Sequence, residues 1–185
     1  MRIVGGDLRG RRLATPKTDA TRPTTDRNRE MLFNILAHAH AEQLCGDVLD
    51  LFAGTGALGC EALSRGARTC TFVENSAAGR ALLQENVENL GLAGRTRILR
   101  RDATKLGSRD SLPKASLVFA DPPYGKGLGE RAAECLMEHD WVTPGGLLVL
   151  EERAASLPES LPGFTLQQRR EAGEGAFGFF LRNAG

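Results

Sequence analysis

Val48-Leu49-Asp50-Leu51-Phe52 runs directly into Ala53-Gly54-Thr55-Gly56-Ala57-Leu58-Gly59. The first stretch is short and apolar, as a buried strand is. The second spells GxGxxG and opens into a helix with Leu58, Ala62 and Leu63 inward and Gly66 as its cap. A strand that turns through glycines into a helix commits a chain to layered α/β architecture. Glycines there let the backbone approach a ligand. Glu74 lies 20 residues past Gly54, where an acid can hydrogen-bond ribose hydroxyls. This constellation fits a dinucleotide as well as a single nucleoside.

The alternation continues along the chain. Strands are expected at 69–74, 95–100, 115–120 and 146–151, with helices over 76–90 and 128–139 between them. A helix starting near Thr25 would turn Met31, Leu32, Ile35, Leu36 and Ala39 inward. Arg22, Arg27 and Arg29 fall near its start, able to face an anion or water. Residues 152–163 read as a loop or short helix. Strands at 164–170 and 176–182 form a final hairpin. The expected fold is a seven-stranded, mostly parallel, right-handed sheet with an antiparallel edge strand. Residues 25–185 would form this domain. Residues 1–24 would form a basic arm, with Ile3-Val4 and Arg12-Leu13-Ala14 as the strands of a small β-hairpin.

Asp121-Pro122-Pro123-Tyr124 follows the apolar run Leu117-Val118-Phe119-Ala120. It therefore sits where a parallel strand ends, and ligands bind beyond such ends. Two prolines remove two backbone donors and stiffen the loop. The Asp121 carboxylate and the Pro122 carbonyl can accept two N–H bonds from an exocyclic amine. Tyr124 can stack on the ring that carries it. Taken alone, the tetrad reads equally well as a turn that caps a strand.

Charge is distributed unevenly. The net charge is +1, yet residues 1–30 hold eight Lys/Arg against four acids. Arg2, Arg9, Arg11 and Arg12 on the arm are candidate contacts to nucleic-acid phosphates; a solvated surface arm is the plainer alternative. Cys45, Cys60, Cys70 and Cys135 show no metal-type spacing and are expected to be reduced and mostly buried. His38 and His40 alternate near a helix end and are assigned no metal. No apolar run is long enough to span a bilayer, and a cytoplasmic protein is expected.

Three features narrow the ligand. A dinucleotide enzyme of this length has no room for a separate substrate domain. Asp50, four residues before Gly54, suits a cationic amino-acid end better than a pyrophosphate. The Asp121 loop lies beside the glycine loop. Together these point to methyl transfer from S-adenosylmethionine to an amine.

DLFAGTGALG, with Glu74, Asp102 and DPPY, resembles the class I S-adenosylmethionine-dependent methyltransferases, which have a Rossmann-like fold. RIVGGDLRGRRLATP, TRPTTDRNREMLFNIL and VLDLFAGTGALGCEALSRGA are similar to the bacterial 16S ribosomal RNA guanine-966 N2-methyltransferase family. The resemblance runs from Arg2 to about Gly146. It implies that Asp50, Phe52, Ala53, Gly54, Thr55 and Gly56 shape the cofactor pocket. It also implies that Glu74 and Asn75 lie at the ribose, and Asp102 and Ala103 at the adenine. Thr24 and Arg27 would border that pocket, and Asp121 to Tyr124 would bind the guanine. The implied partner is 16S rRNA in the small ribosomal subunit, modified by a monomeric enzyme. The alternatives are an adenine-N6 methyltransferase, an NAD-dependent oxidoreductase and a non-catalytic RNA-binding protein.

Overall fold

The computed structural model describes residues 1–17 and 24–184. Arg22, considered above as an anion contact, lies outside them. Five parallel strands form the first part of the sheet: β1 (Asp47–Leu51), β2 (Thr69–Val73), β3 (Thr96–Leu99), β4 (Ala115–Ala120) and β5 (Val142–Arg153). Then come β6 (Ser160–Leu161), β7 (Phe164–Ala172) and β8 (Gly175–Arg182). The spatial order is β3-β2-β1-β4-β5-β8-β7-β6. Helices α1 (Asp26–Ala39), α2 (Ala41–Leu44), α3 (Ala57–Ser64), α4 (Ala77–Asn89) and α5 (Leu128–Glu138) complete the fold.

β4 explains why its sequence carries no polar alternation. Leu117 and Phe119 enter one core with Leu32, Leu36, Leu63, Leu83 and Val87 from α1, α3 and α4. Val118 and Ala120 enter a second core with Ala132 and Leu136 of α5 and Trp141. A strand covered on both faces must be apolar throughout.

Several expectations need correction. The sheet has eight strands instead of seven, because Ser160–Leu161 turns at Gly163 (φ +77°) and pairs with Phe164–Thr165. The antiparallel edge is present as expected and is three strands wide: β8 lies between β5 and β7 and pairs antiparallel with both, and β6 closes that side of the sheet. β5 starts at Val142 rather than 146, since Ala115 pairs with Val142 before the register shifts to Leu117 and Leu147. Pro144 and Gly145 form that bulge, which reads in sequence as a turn. A short 3-10 turn, Ala154–Ser156, follows β5.

α1 starts as expected, with Thr25 as its cap accepting from the Asn28 amide at 3.1 Å. Its inner face differs. Arg29, Leu32, Phe33 and Leu36 are buried, whereas Ala39 is exposed. Phe33 meets Phe119 at 5.5 Å between ring centroids in a tilted pair, a geometry worth about 1 kcal/mol beyond area burial. Cys60 and Cys70 are buried, but Cys45 is exposed. All four cysteines are free.

The arm folds back on itself as a short antiparallel hairpin: a bridge joins Arg2 and Arg12, and the Ile3, Gly10 and Leu13 amides donate to the Arg11, Ile3 and Met1 carbonyls at 2.9, 2.8 and 3.0 Å. The arm is also fastened to the helices. Ile3 and Leu13 enter the first core. The amides of Val4 and Gly5 donate to the two Glu61 oxygens at 2.9 and 3.3 Å. The Leu8 amide donates to Ser64 Oγ at 2.9 Å, and Ser64 Oγ donates to the Gly5 carbonyl at 2.6 Å. Arg29, fully buried, donates to the Arg2 and Thr24 carbonyls and to Asp26. The amides of Val4, Gly5 and Leu8 thus find their acceptors in side chains on α3.

Candidate active site

β1 and β4 are hydrogen-bonded neighbours, with Leu51 opposite Ala120. The glycine loop and the Asp121 loop therefore leave the sheet side by side. Both open into one cavity of about 1140 Å³. Single small-molecule sites run to roughly 1,000 Å³, so this one has room for two ligands in contact.

The turn at the end of β1 uses positive φ at Phe52 (53°), Gly54 (55°) and Gly56 (81°). Phe52 pays a strain there that glycine avoids, a pattern found at binding sites. The three glycines do different work. A Cβ on Gly54 would meet no neighbour within 4 Å, so the backbone faces the cavity openly. A Cβ on Gly56 would lie 2.3 Å from Leu83 Cδ1, and one on Gly59 would lie 2.3 Å from Phe72 Cε1. Those two glycines permit close packing of α3 and α4 on the sheet. Accordingly, Phe52, Ala53, Gly54 and Thr55 line the cavity, and Gly56 does not.

Asp50 Oδ2 accepts the Gly59 amide at 3.0 Å, inside the first turn of α3. This side chain braces the loop as well as facing the cavity. Burial raises its carboxyl to about 8; the Gly59 bond opposes the shift and the Glu74 charge adds to it. Glu74 Oε1 accepts the Gly54 amide at 2.7 Å, and Oε2 accepts the Ser76 amide at 2.8 Å. Asn75 follows it on the lining. Asp102 Oδ1 accepts from the Thr104 amide and hydroxyl at 2.8 and 2.7 Å, which holds its carboxyl below the usual range. Ala103, beside it, is buried on the cavity wall.

At the other end stand Asp121, Pro122, Pro123 and Tyr124, all on the lining. Thr24 reaches them from the approach to α1. Its hydroxyl lies 2.8 Å from Glu151 Oε2 and 3.4 Å from Asp121 Oδ2. The Tyr124 hydroxyl donates to Glu151 Oε1 at 3.1 Å. The Asp121 carboxyl is pushed well up, by burial first, then by the charge and hydrogen bond of Glu151, then by Asp50.

Arg27 does not border the cavity: it is exposed on α1 and absent from the lining. Met1 and Pro16 of the arm are on that lining. Arg2, Arg9, Arg11 and Arg12 are exposed, and Arg11 also donates to the Asn89 carbonyl at 2.6 Å. Among the described residues no cluster of metal-type ligands occurs. Sequence reasoning missed Glu151, and also Arg101, Thr104, Lys105 and Arg131 on the cavity wall. Two acids after an apolar run, LLVLEE, were the only signal for Glu151.

Residues 1–181 match the family model described as Conserved hypothetical protein 95. Ribosomal RNA small subunit methyltransferase D of Escherichia coli K12 is 37% identical over 100% of this chain and 91% of its own length. Its namesake in Haemophilus influenzae is 35% identical over 82% of this chain and 78% of its own. The solved structure of the yhhF protein of Escherichia coli superposes with a TM-score of 0.85 at 37% identity, covering 100% of this chain and 99% of that one. The chain belongs to this family, described as Conserved hypothetical protein 95, together with the small-subunit ribosomal RNA methyltransferases D.

Proposed function

We propose that the protein transfers a methyl group from S-adenosylmethionine to the exocyclic N2 amine of guanine 966 in 16S ribosomal RNA. The observation that carries this reading is the single cavity shared by the glycine loop and the Asp121–Tyr124 loop. The cofactor lies along the first loop. Asp50 meets its ammonium end, Glu74 and Asn75 its ribose, and Asp102 with Ala103 its adenine. The guanine enters from the second loop.

A guanine N2 is a poor nucleophile, because its lone pair is delocalised into the ring. The sulfonium methyl is already a strong electrophile. Alignment of nitrogen, methyl carbon and sulfur is then the main task, and positioning can supply roughly 7–11 kcal/mol. Asp121 and the Pro122 carbonyl accept the two N2 protons, which draws the lone pair toward the methyl. Asp121 also offsets positive charge developing on nitrogen. Tyr124 stacks on a base that has been splayed out of its RNA context.

The arm supplies the RNA contacts. Because Met1 and Pro16 line the cavity, the exposed arginines sit on a body rigidly joined to its mouth. Their phosphate contacts orient the RNA without reading its sequence. The enzyme acts as a cytoplasmic monomer on the small ribosomal subunit. In support, no large hydrophobic side chain is exposed among the described residues, and none of their helices is long and apolar enough to cross a membrane.

The deciding experiment incubates the protein with isotopically labelled S-adenosylmethionine and unmodified small ribosomal subunits, followed by nucleoside mass spectrometry. Labelled N2-methylguanosine is the expected product. Labelled N6-methyladenosine would replace the substrate, and failure to bind the cofactor would overturn the reading of the glycine loop.

A further inference from the structure

Glu151 lies near the end of β5, two residues before Arg153, at the back of the acceptor end, and is buried. Its two oxygens are both engaged, Oε2 by the Thr24 hydroxyl at 2.8 Å and Oε1 by the Tyr124 hydroxyl at 3.1 Å. The same Thr24 hydroxyl lies 3.4 Å from Asp121 Oδ2. A threonine hydroxyl has one hydrogen to give, so it serves one of the two acids well and leaves the other short of a donor. Two buried carboxylates side by side do not both ionise readily. A proton between them supplies the missing donor and removes the repulsion.

We propose that Glu151 is a positioning residue which forms, with Asp121, a two-carboxylate pair holding one proton at the acceptor end of the cavity. Through its bond to the Tyr124 hydroxyl it also fixes the stacking ring. Other charged and titratable groups surround the pair: Asp50 at the end of β1, Tyr124 in the loop after β4, and Glu152 beside it on β5. Glu152 is engaged elsewhere, accepting the Gly125 and Arg153 amides at 3.1 and 2.7 Å. From the α1 side, Arg29 donates to the Thr24 carbonyl. The β8 residue paired with Glu151 is Phe177.

The role in turnover rests on the methyl-transfer reading. The nitrogen lone pair forms the new N–C bond as the S–C bond breaks and its electron pair stays on sulfur. The positive charge passes from sulfur to nitrogen, which must lose one proton. The pair, with one proton and one negative charge, takes that proton through Asp121, becomes neutral, and then releases it to water. The upward push on the Asp121 carboxyl from Glu151 is the electrostatic side of the same arrangement.

Glu151→Gln tests this, because the amide oxygen can still accept from a hydroxyl but the side chain cannot share a proton. The first readout needs no turnover. Carboxyl 13C NMR of the intact protein should show Asp121 titrating above the ordinary range in wild type. In E151Q it should move down by roughly one unit or more. If E151Q does not fold, Thr24→Val, which removes the hydroxyl that both acids use, should move the Asp121 titration further up. The second readout is kinetic. E151Q should lower kcat about 10- to 100-fold, at the low end of acid–base contributions. The acid limb of the pH profile should move to lower pH, and cofactor affinity should stay within about twofold. An unmoved Asp121 titration, or equal losses in kcat and cofactor affinity, would overturn the proposal. A wild type that transfers no methyl group would instead refute the reaction, and the titration would then support or overturn the pair by itself.

Discussion

Arg29 and Glu61, both completely buried, face each other with Nε 3.6 Å from Oε1. Nε makes no hydrogen bond there, so Glu61 shares the balance of the guanidinium's charge with Asp26, its ion-pair partner at 2.8 Å, and the remaining donors go to the Arg2 and Thr24 carbonyls. Glu61 in turn holds the Val4 and Gly5 amides. One ion pair therefore fastens both the arm and the start of α1.

Glu61→Ala should destabilise the protein by about 2–4 kcal/mol, because it leaves two amides without acceptors and takes one of two carboxylates from a buried guanidinium. The combined replacement Arg29→Met with Glu61→Leu should cost less than the single change. Urea denaturation of the three proteins measures both. A loss under about 1 kcal/mol in E61A would mean that the arm is held by its apolar anchors, Ile3 and Leu13, alone.

Asp50 should link pH to cofactor binding. Its folded-state value of about 8 lies above the unfolded value of 3.8. The sign follows from linkage: its contribution to stability is full below pH 4 and is lost as pH rises through 8. Asp50→Asn should therefore flatten the stability–pH curve between those limits, seen as a melting temperature that falls less on going from pH 6 to pH 9. Binding of an ammonium at this carboxylate favours its ionised form. S-adenosylmethionine binding near pH 7 should then release a proton, measured by calorimetry in buffers of different ionisation enthalpy. Release should vanish in D50N, with affinity lower by roughly 10- to 100-fold.

Gly54→Ala and Gly59→Ala separate ligand approach from packing. The first adds a Cβ into open space at φ +55°, costing about 1–2 kcal/mol of backbone strain, and should weaken cofactor binding most. The second drives a Cβ to 2.3 Å from Phe72 and 2.6 Å from Cys70 Sγ. It should lose about 1–3 kcal/mol of stability through overpacking. Thermal melts with and without cofactor distinguish them; identical behaviour would show that the two glycines share one role.

Replacing Arg9, Arg11 and Arg12 together with Ala should weaken RNA binding at all sequences alike. At about 0.7 per phosphate for single strands, the slope of log affinity against log salt should flatten by roughly 2. An unchanged slope would remove the arm from the RNA interface.

These outcomes bear on what the chain discloses before it folds. β1 with its glycines and β4 with DPPY stood out because parallel strands buried on both faces leave unbroken apolar runs, followed by turn chemistry. Arg29 and Glu61 did not. An arginine in a first helical turn and a glutamate within ALGCEALS look solvated, and only the docked arm buries them. Glu151 escaped for the same reason: its partners Thr24 and Tyr124 are 127 and 27 residues away. The place of β8 was hidden as well. Hairpin partners are local in sequence, whereas the insertion of β8 beside β5 is decided by which apolar face needs covering.

The Leu51–Ala120 pairing also acts as a ruler. Neighbouring strands keep about 4.8 Å between them, so the two loops that bracket the cavity begin at an interval set by backbone hydrogen bonds. Side chains in either loop can be exchanged without altering that interval. A lineage built on this scaffold could change which acceptor it reads while the gap to the donor stays the same.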